Sequence, residues 1–243
     1  TLNGYRSDNF KSYVYVSEDK GKTWKSINAN LPSSPVNVIR EDPNNDQILY
    51  LGNDQGAYVS FDQGERWDEF KKGLTTAAVH DLVIQPVANH LLVGTHGRSI
   101  YKADLAPFKN VSISFFNKEL TLLKPKNIKY SKRWGTSRSI WRSINEPKQT
   151  FSVYALSAGS YQMKIKNQKG VVLFSQKGIL EAGYNFIDYT FEKDANGITN
   201  FNKKNKKTPS KPSDNGKHYL DKGSYSVEFN KGKFKSKKEL LIE

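Results

Sequence analysis

The chain has no cysteine, one methionine and four histidines among 243 residues. Without cysteine there can be no disulfide, no thiolate metal site and no cysteine nucleophile, although the compartment stays open. No apolar run approaches the eighteen residues a membrane-spanning helix needs. There is no Gly-x-x-x-x-Gly-Lys loop and no convincing amphipathic helix, which removes nucleotide and dinucleotide enzymes from consideration. His80, His90 and His218 lack ligand spacing, so neither a metal nor a cofactor is expected.

Charge is unevenly spread. Residues 1–110 hold 12 Lys and Arg against 13 Asp and Glu, whereas the remainder hold 26 against 11, so the whole formal charge of +14 comes from the second half. Much of it lies in one run with the composition of a solvated loop, containing Lys203, Lys204, Lys206, Lys207 and Lys211. An anionic partner for this run is the competing reading, with nucleic acid disfavoured because the charge is confined to one half.

What is present is a repeat. Ser17, Asp19, Gly21 and Trp24 recur as Ser60, Asp62, Gly64 and Trp67, in the pattern S-x-D-x-G-x-x-W with a period of 43 residues. Each copy follows a short alternating strand, Tyr13 to Val16 and Ala57 to Val59, and so falls where a hairpin must turn. Ser and Asp can tie down backbone amides two residues on, Gly can adopt positive φ, and the Trp can cover the corner. Asp19 and Asp62 are therefore read as scaffold, not as catalytic acids, and the two indoles are expected to cap equivalent corners. Similar tails follow both boxes, Val36-Asn37-Val38-Ile39 then Asp42-Pro43, against Val79-His80-Asp81-Leu82 then Gln85-Pro86.

Box and tail together resemble the Asp-box, or BNR, repeat of β-propellers in the sortilin and xyloglucanase group. The resemblance implies four-stranded blades, with the box in the turn from third to fourth strand. The turn from second to third strand then points to the opposite face, where such propellers bind ligands. Asp54 and Gln55 occupy that turn in one blade, His96 and Arg98 in the next. His96 could move a proton near neutral pH and Arg98 could clamp a carboxylate. The favoured reading has Arg98 fastening the ring through an ion pair and His96 bonded to backbone. Asp54 has no partner for a glycosidase dyad.

After residue 108 the repeat ends. Short strands are expected at Val111–Phe116 and Leu120–Leu123, then an irregular connector to residue 148 carrying Trp134, Trp141 and the basic residues Lys129, Lys132, Arg133, Arg138 and Arg142. The two Trp are expected at the joint between domains, with sugar stacking as the alternative. From residue 149 to 243, regularly spaced strands with turn signals predict a β-sandwich, with the basic loop inserted at about 200–216. Gly159-Ser160-Tyr161 and Gly223-Ser224-Tyr225, with the turn at Glu181 to Asn185, resemble FlgD-type immunoglobulin-like domains.

The expected class is thus all-β, with about two to three propeller blades at 1–108, a connector and first strand at 109–148 and an immunoglobulin-like sandwich at 149–243. Thr1 is expected to lie inside a longer exported bacterial protein, secreted, periplasmic or at the cell surface. Earlier blades of the same chain are the expected partners, and Glu243 the expected natural end. The part in hand is read as a non-catalytic binding or scaffolding piece for a glycan or protein ligand. The alternative is that it closes the propeller of a glycoside hydrolase whose acid and base lie upstream. A basic adhesion module acting through Lys203 to Lys211 is a third reading.

Overall fold

A computed structural model describes residues 1–70, 73–108, 113–137, 141 and 143–243. The chain divides into two compact units, Thr1–Asn117 and Lys118–Glu243. It is nearly all β, a partial propeller followed by a β-sandwich.

The first unit opens with a pair of hairpins. Strands β1 (Leu2–Gly4) and β2 (Asn9–Tyr13) pair antiparallel, and β3 (Tyr15–Val16) pairs with β4 (Lys25–Ser26) across the first box. A complete blade follows, a four-stranded meander of β5 (Val36–Asp42), β6 (Asn45–Asn53), β7 (Gly56–Ser60) and β8 (Asp68–Glu69), with the second box between β7 and β8. A three-stranded sheet then holds β9 (Val79–Gln85), β10 (His90–Thr95) and β11 (Ile100–Asp104).

Adjacent sheets meet through buried apolar faces. Val14 and Ile27 of the first hairpins pack with Val36, Leu51, Tyr58 and Trp67 of the complete blade. At the next junction Gly52 of β6 faces Val79 of β9, so closely that an added Cβ would stand 2.5 Å from Val79 Cγ1 and 2.8 Å from Val38 Cγ1. A strand glycine in this setting marks close approach of two sheets.

The two boxes share one hydrogen-bond pattern. Ser17 Oγ donates to Asp19 Oδ1 at 2.9 Å and accepts from Gly21 N at 2.7 Å, and Asp19 also accepts from Thr23 N at 2.9 Å. Ser60, Asp62, Gly64 and Arg66 repeat these bonds at 2.7, 2.8 and 2.9 Å. Positive φ at Gly21 (86°) and Gly64 (92°) completes each turn.

The indoles depart from the expected equivalence. Trp67 is 2% exposed, whereas Trp24 is 63% exposed. Trp67 Nε1 donates to Ile27 O at 2.7 Å, and Trp67 N and O exchange bonds with the Asn30 side chain at 2.8 and 2.7 Å. The box tryptophan therefore ties its blade to the preceding one as well as packing on its own. No described residue supplies such a blade for Trp24, whose Nε1 turns to Gly21 O within its own box at 3.2 Å.

In the second unit, β12 (Leu120–Leu122), β13 (Gln149–Ala155), β14 (Gly159–Asn167), β15 (Val172–Leu180), β16 (Gly183–Tyr189), β17 (Gly223–Lys231) and β18 (Phe234–Ile242) form two sheets. Their orders are β12-β13-β16 and β15-β14-β17-β18. Alternate residues of both sheets, among them Val153, Met163, Ile165, Val227 and Leu240, fill the core between them.

Three expectations are corrected here. Ile113–Phe115 is a 3-10 turn, not a strand, and Val111 and Ser112 lie outside the described residues. Trp134 is 5% exposed and packs in the sandwich core against Tyr130, Phe191 and Tyr219, so it is available neither to a sugar nor to an interdomain joint. Trp141 is exposed, while Arg138 and Arg142 fall outside the described residues. A helix, α1 (Ala195–Lys204), occupies ground read as loop and takes in Lys203 and Lys204, leaving Lys206, Lys207 and Lys211 on the irregular stretch that follows. Asp194 caps it, accepting from Gly197 N at 2.6 Å and Ser175 N at 2.7 Å. Gly197 brings the helix onto β15, since a Cβ there would meet Leu173 O at 1.8 Å.

Candidate ligand face

The turns from second to third strand are held by their own side chains. Asn53 Oδ1 accepts from Gln55 N at 2.9 Å and Gly56 N at 3.0 Å, and Gly56 takes φ 151°. This leaves Asp54 and Gln55 as a two-residue tip. In the next sheet Thr95 Oγ1 donates to Ser99 O at 2.5 Å, Gly97 and Ser99 have φ of 70° and 82°, and His96 N donates to Ala78 O at 2.8 Å.

These tips and the first residues of β5 and β9 share one rim. Asn3 Nδ2 donates to Asn37 Oδ1 at 2.9 Å, and Asn37 Nδ2 donates to Asp54 Oδ1 at 2.8 Å and to Val79 O at 3.1 Å. One chain of hydrogen bonds therefore runs from the first hairpin across the complete blade to β9. There His80 and His96 stack, ring centroids 5.2 Å apart and planes at 28°. Together with Tyr5, Arg6, Ser7 and Ala78 these residues line a cavity of about 600 Å³.

The cavity brings Asp54 and His96 together, but not all four candidates. Gln55 turns away, its amide 3.5 Å from Ser33 O, into a separate depression of about 420 Å³ beside Tyr58 and Phe70. Arg98 is exposed and makes no ion pair among the described residues. Asn3, Asn37, Arg6 and His80 were missed. Asn37 and His80 stand 43 residues apart, at the same place in the repeat, and that equivalence was the available signal.

Chemically the cavity offers amide and hydroxyl groups, one guanidinium, two imidazoles and one carboxylate. That carboxylate is already engaged by Asn37. Asp19, across the blade on the box side, is held down at about 2 by the Thr23 N–H and hydroxyl that it accepts from. A carboxylate so committed is structural. Among the described residues no group of three or more His, Asp or Glu is placed to hold a metal ion.

Comparison with known proteins agrees with this architecture. Residues 12–176 match the Sortilin-Vps10 family, described as sortilin, neurotensin receptor 3. The match spans more than half of the chain, which therefore belongs to that family, one of Asp-box propellers. No curated protein matches. Solved structures similar to parts of it include the extracellular domain of a hybrid two-component system from B. thetaiotaomicron, at 8% identity and a TM-score of 0.28 over 92% of this chain. Another is a β-glucosidase from Kluyveromyces marxianus, at 17% identity and a TM-score of 0.27 over 51% of this chain. The chain spans 28% and 14% of the lengths of those two proteins. Among the described residues no helix is long and apolar enough to cross a membrane.

Proposed function

We propose that this chain supplies blades of an exported propeller protein that holds a glycan or protein ligand, without catalysis, on the face built from Asn3, Asn37, Asp54, His80 and His96. One observation carries the reading. The first hairpin, the complete blade and the β9-β10-β11 sheet all contribute to a single cavity on the side opposite the boxes, with Asp54 the one carboxylate among its lining residues. Hydrolysis of a glycosidic bond by the usual route needs two carboxyl groups flanking it. A lone, amide-bound carboxylate suits recognition of hydroxyls or amines instead.

Further blades of the parent protein are its immediate partners in this reading. Trp24 and Leu2 on one side of the unit, and Val83, Leu92 and Ile100 on the other, are exposed apolar groups of the kind that blade stacking buries. The sandwich acts as an appended spacer or attachment module of the FlgD-type immunoglobulin-like kind. Support comes from Tyr161 and Tyr225, which follow the two Gly-Ser strand starts and turn into one core.

The test is a glycan array and a peptide panel probed with the full chain. The reading expects a ligand whose binding is lost in the Asp54→Ala/His96→Ala variant and kept when Lys203, Lys204, Lys206 and Lys207 become Ser. Polysaccharide hydrolysis by this chain, abolished by Asp54→Asn, would overturn the non-catalytic assignment.

A further inference from the structure

The lysines of β14, β15 and β18 form a surface that the sequence pattern alone did not reveal. In the sheet β15-β14-β17-β18 the odd-numbered residues Tyr161, Met163 and Ile165 of β14, and Tyr225, Val227 and Phe229 of β17, face the core. Their even-numbered neighbours therefore face solvent. Register then sets the outward residues in rows: Lys177, Gln162, Asn230 and Lys235 stand side by side across the four strands. The next row is Ser175, Lys164, Glu228 and Lys237. Lys166 and Glu239 belong to the row after that, on either side of Ser226.

Five lysines thus share this face with two glutamates. Glu228 is already bonded to both Lys166, at 2.8 Å, and Lys235, at 3.0 Å. Glu239 accepts from Ser224. Lys164, Lys177 and Lys237 have no acidic partner among the described residues. Beside them lies a depression of about 590 Å³, lined in part by Lys166, Ser226, Glu228 and Lys237. No ring of β14 or β17 is exposed on this face: Tyr161 and Phe229 are buried in the core, and Tyr225, which also lines the depression, is itself buried. A surface meant to stack nucleobases would carry such rings.

We propose that the outer face of this sheet binds a carboxylated polysaccharide, its lysines meeting uronate groups and the interleaved Gln162 and Ser175 meeting sugar hydroxyls. Neighbouring strands about 4.8 Å apart space the cations for a polymer lying across the strands. The proposal is independent of the propeller face, which belongs to the other unit.

Polygalacturonate is the probe, with the full chain run in affinity electrophoresis gels containing it. The wild type should be retarded, and raising the salt should release it as the Debye length shortens. Changing Lys164, Lys177 and Lys237 together to Gln should weaken binding about tenfold, the factor that three ordinary surface ion contacts multiply to. The triple Arg variant should bind like the wild type, and so should the variant with Lys203, Lys204, Lys206 and Lys207 changed to Ser. The proposal fails if the wild type is not retarded, if the Gln variant binds unchanged, or if the Ser variant alone loses binding. It fails equally if single-stranded DNA binds more tightly through the same lysines.

Discussion

Gly52 offers a sharp test of blade packing because two general effects predict opposite signs there. In an ordinary strand Gly→Ala gains about 0.5–1 kcal/mol by restricting the unfolded chain. At Gly52 the new methyl would enter the space of Val79 Cγ1 and Val38 Cγ1, at 2.5 and 2.8 Å. Overpacking of that kind costs about 1–3 kcal/mol, leaving Gly52→Ala less stable by roughly 1–2 kcal/mol. Val79→Ala alone should cost about 2 kcal/mol by opening a cavity. In the double variant the new methyl occupies part of that cavity, so the combined cost should fall at least ~1 kcal/mol below the sum. Urea unfolding, read by hydrogen exchange in peptides from β5 to β9, measures all three. A neutral or stabilising Gly52→Ala, or additivity within about 0.5 kcal/mol, would refute the packing of β6 against β9.

The unequal tryptophans make a second prediction. Trp67→Ala should cost about 3–5 kcal/mol, while Trp24→Ala should stay within about 0.5 kcal/mol, both by denaturant melts. Gly197→Ala should destabilise the sandwich by about 2 kcal/mol or more because α1 must leave β15, although alanine is otherwise the better helix former. Thermal melts with a circular-dichroism readout would show it. For Asp19 the carboxyl falls from 3.8 to about 2 on folding, so its contribution is present above pH 3.8 and is lost as pH falls toward 2. The stability gap between wild type and Asp19→Asn should therefore close over that range, and a gap unchanged at pH 2 would contradict the assignment.

The boxes were legible because their chemistry is local. Ser, Asp and Gly satisfy one another within eight residues, so the pattern carries the turn with it. The tryptophan was legible as a cap but not as to what it caps, since Ile27 and Asn30 are long-range partners. His80 escaped notice for a similar reason: its neighbour His96 comes from the following strand's tip, and neither has ligand spacing in sequence. Helix α1 was hidden because polar composition argued for loop, while the decisive feature, a backbone contact at Gly197, is tertiary. In β18 the solvent-side lysines 235 and 237 masked an alternation whose apolar partners gather only near its end, at Leu240 and Ile242.

The central claim is that tips from the first hairpin, the complete blade and the β9-β10-β11 sheet act as one ligand face on the side away from the boxes. The most direct measurement is a backbone amide NMR titration of the full chain with a ligand recovered from the glycan and peptide panels. Shifts should gather at Asn3, Asn37, Asp54, His80 and His96 while the box amides of Gly21 and Gly64 stay still. Shifts centred on the boxes, or confined to a single blade, would contradict it.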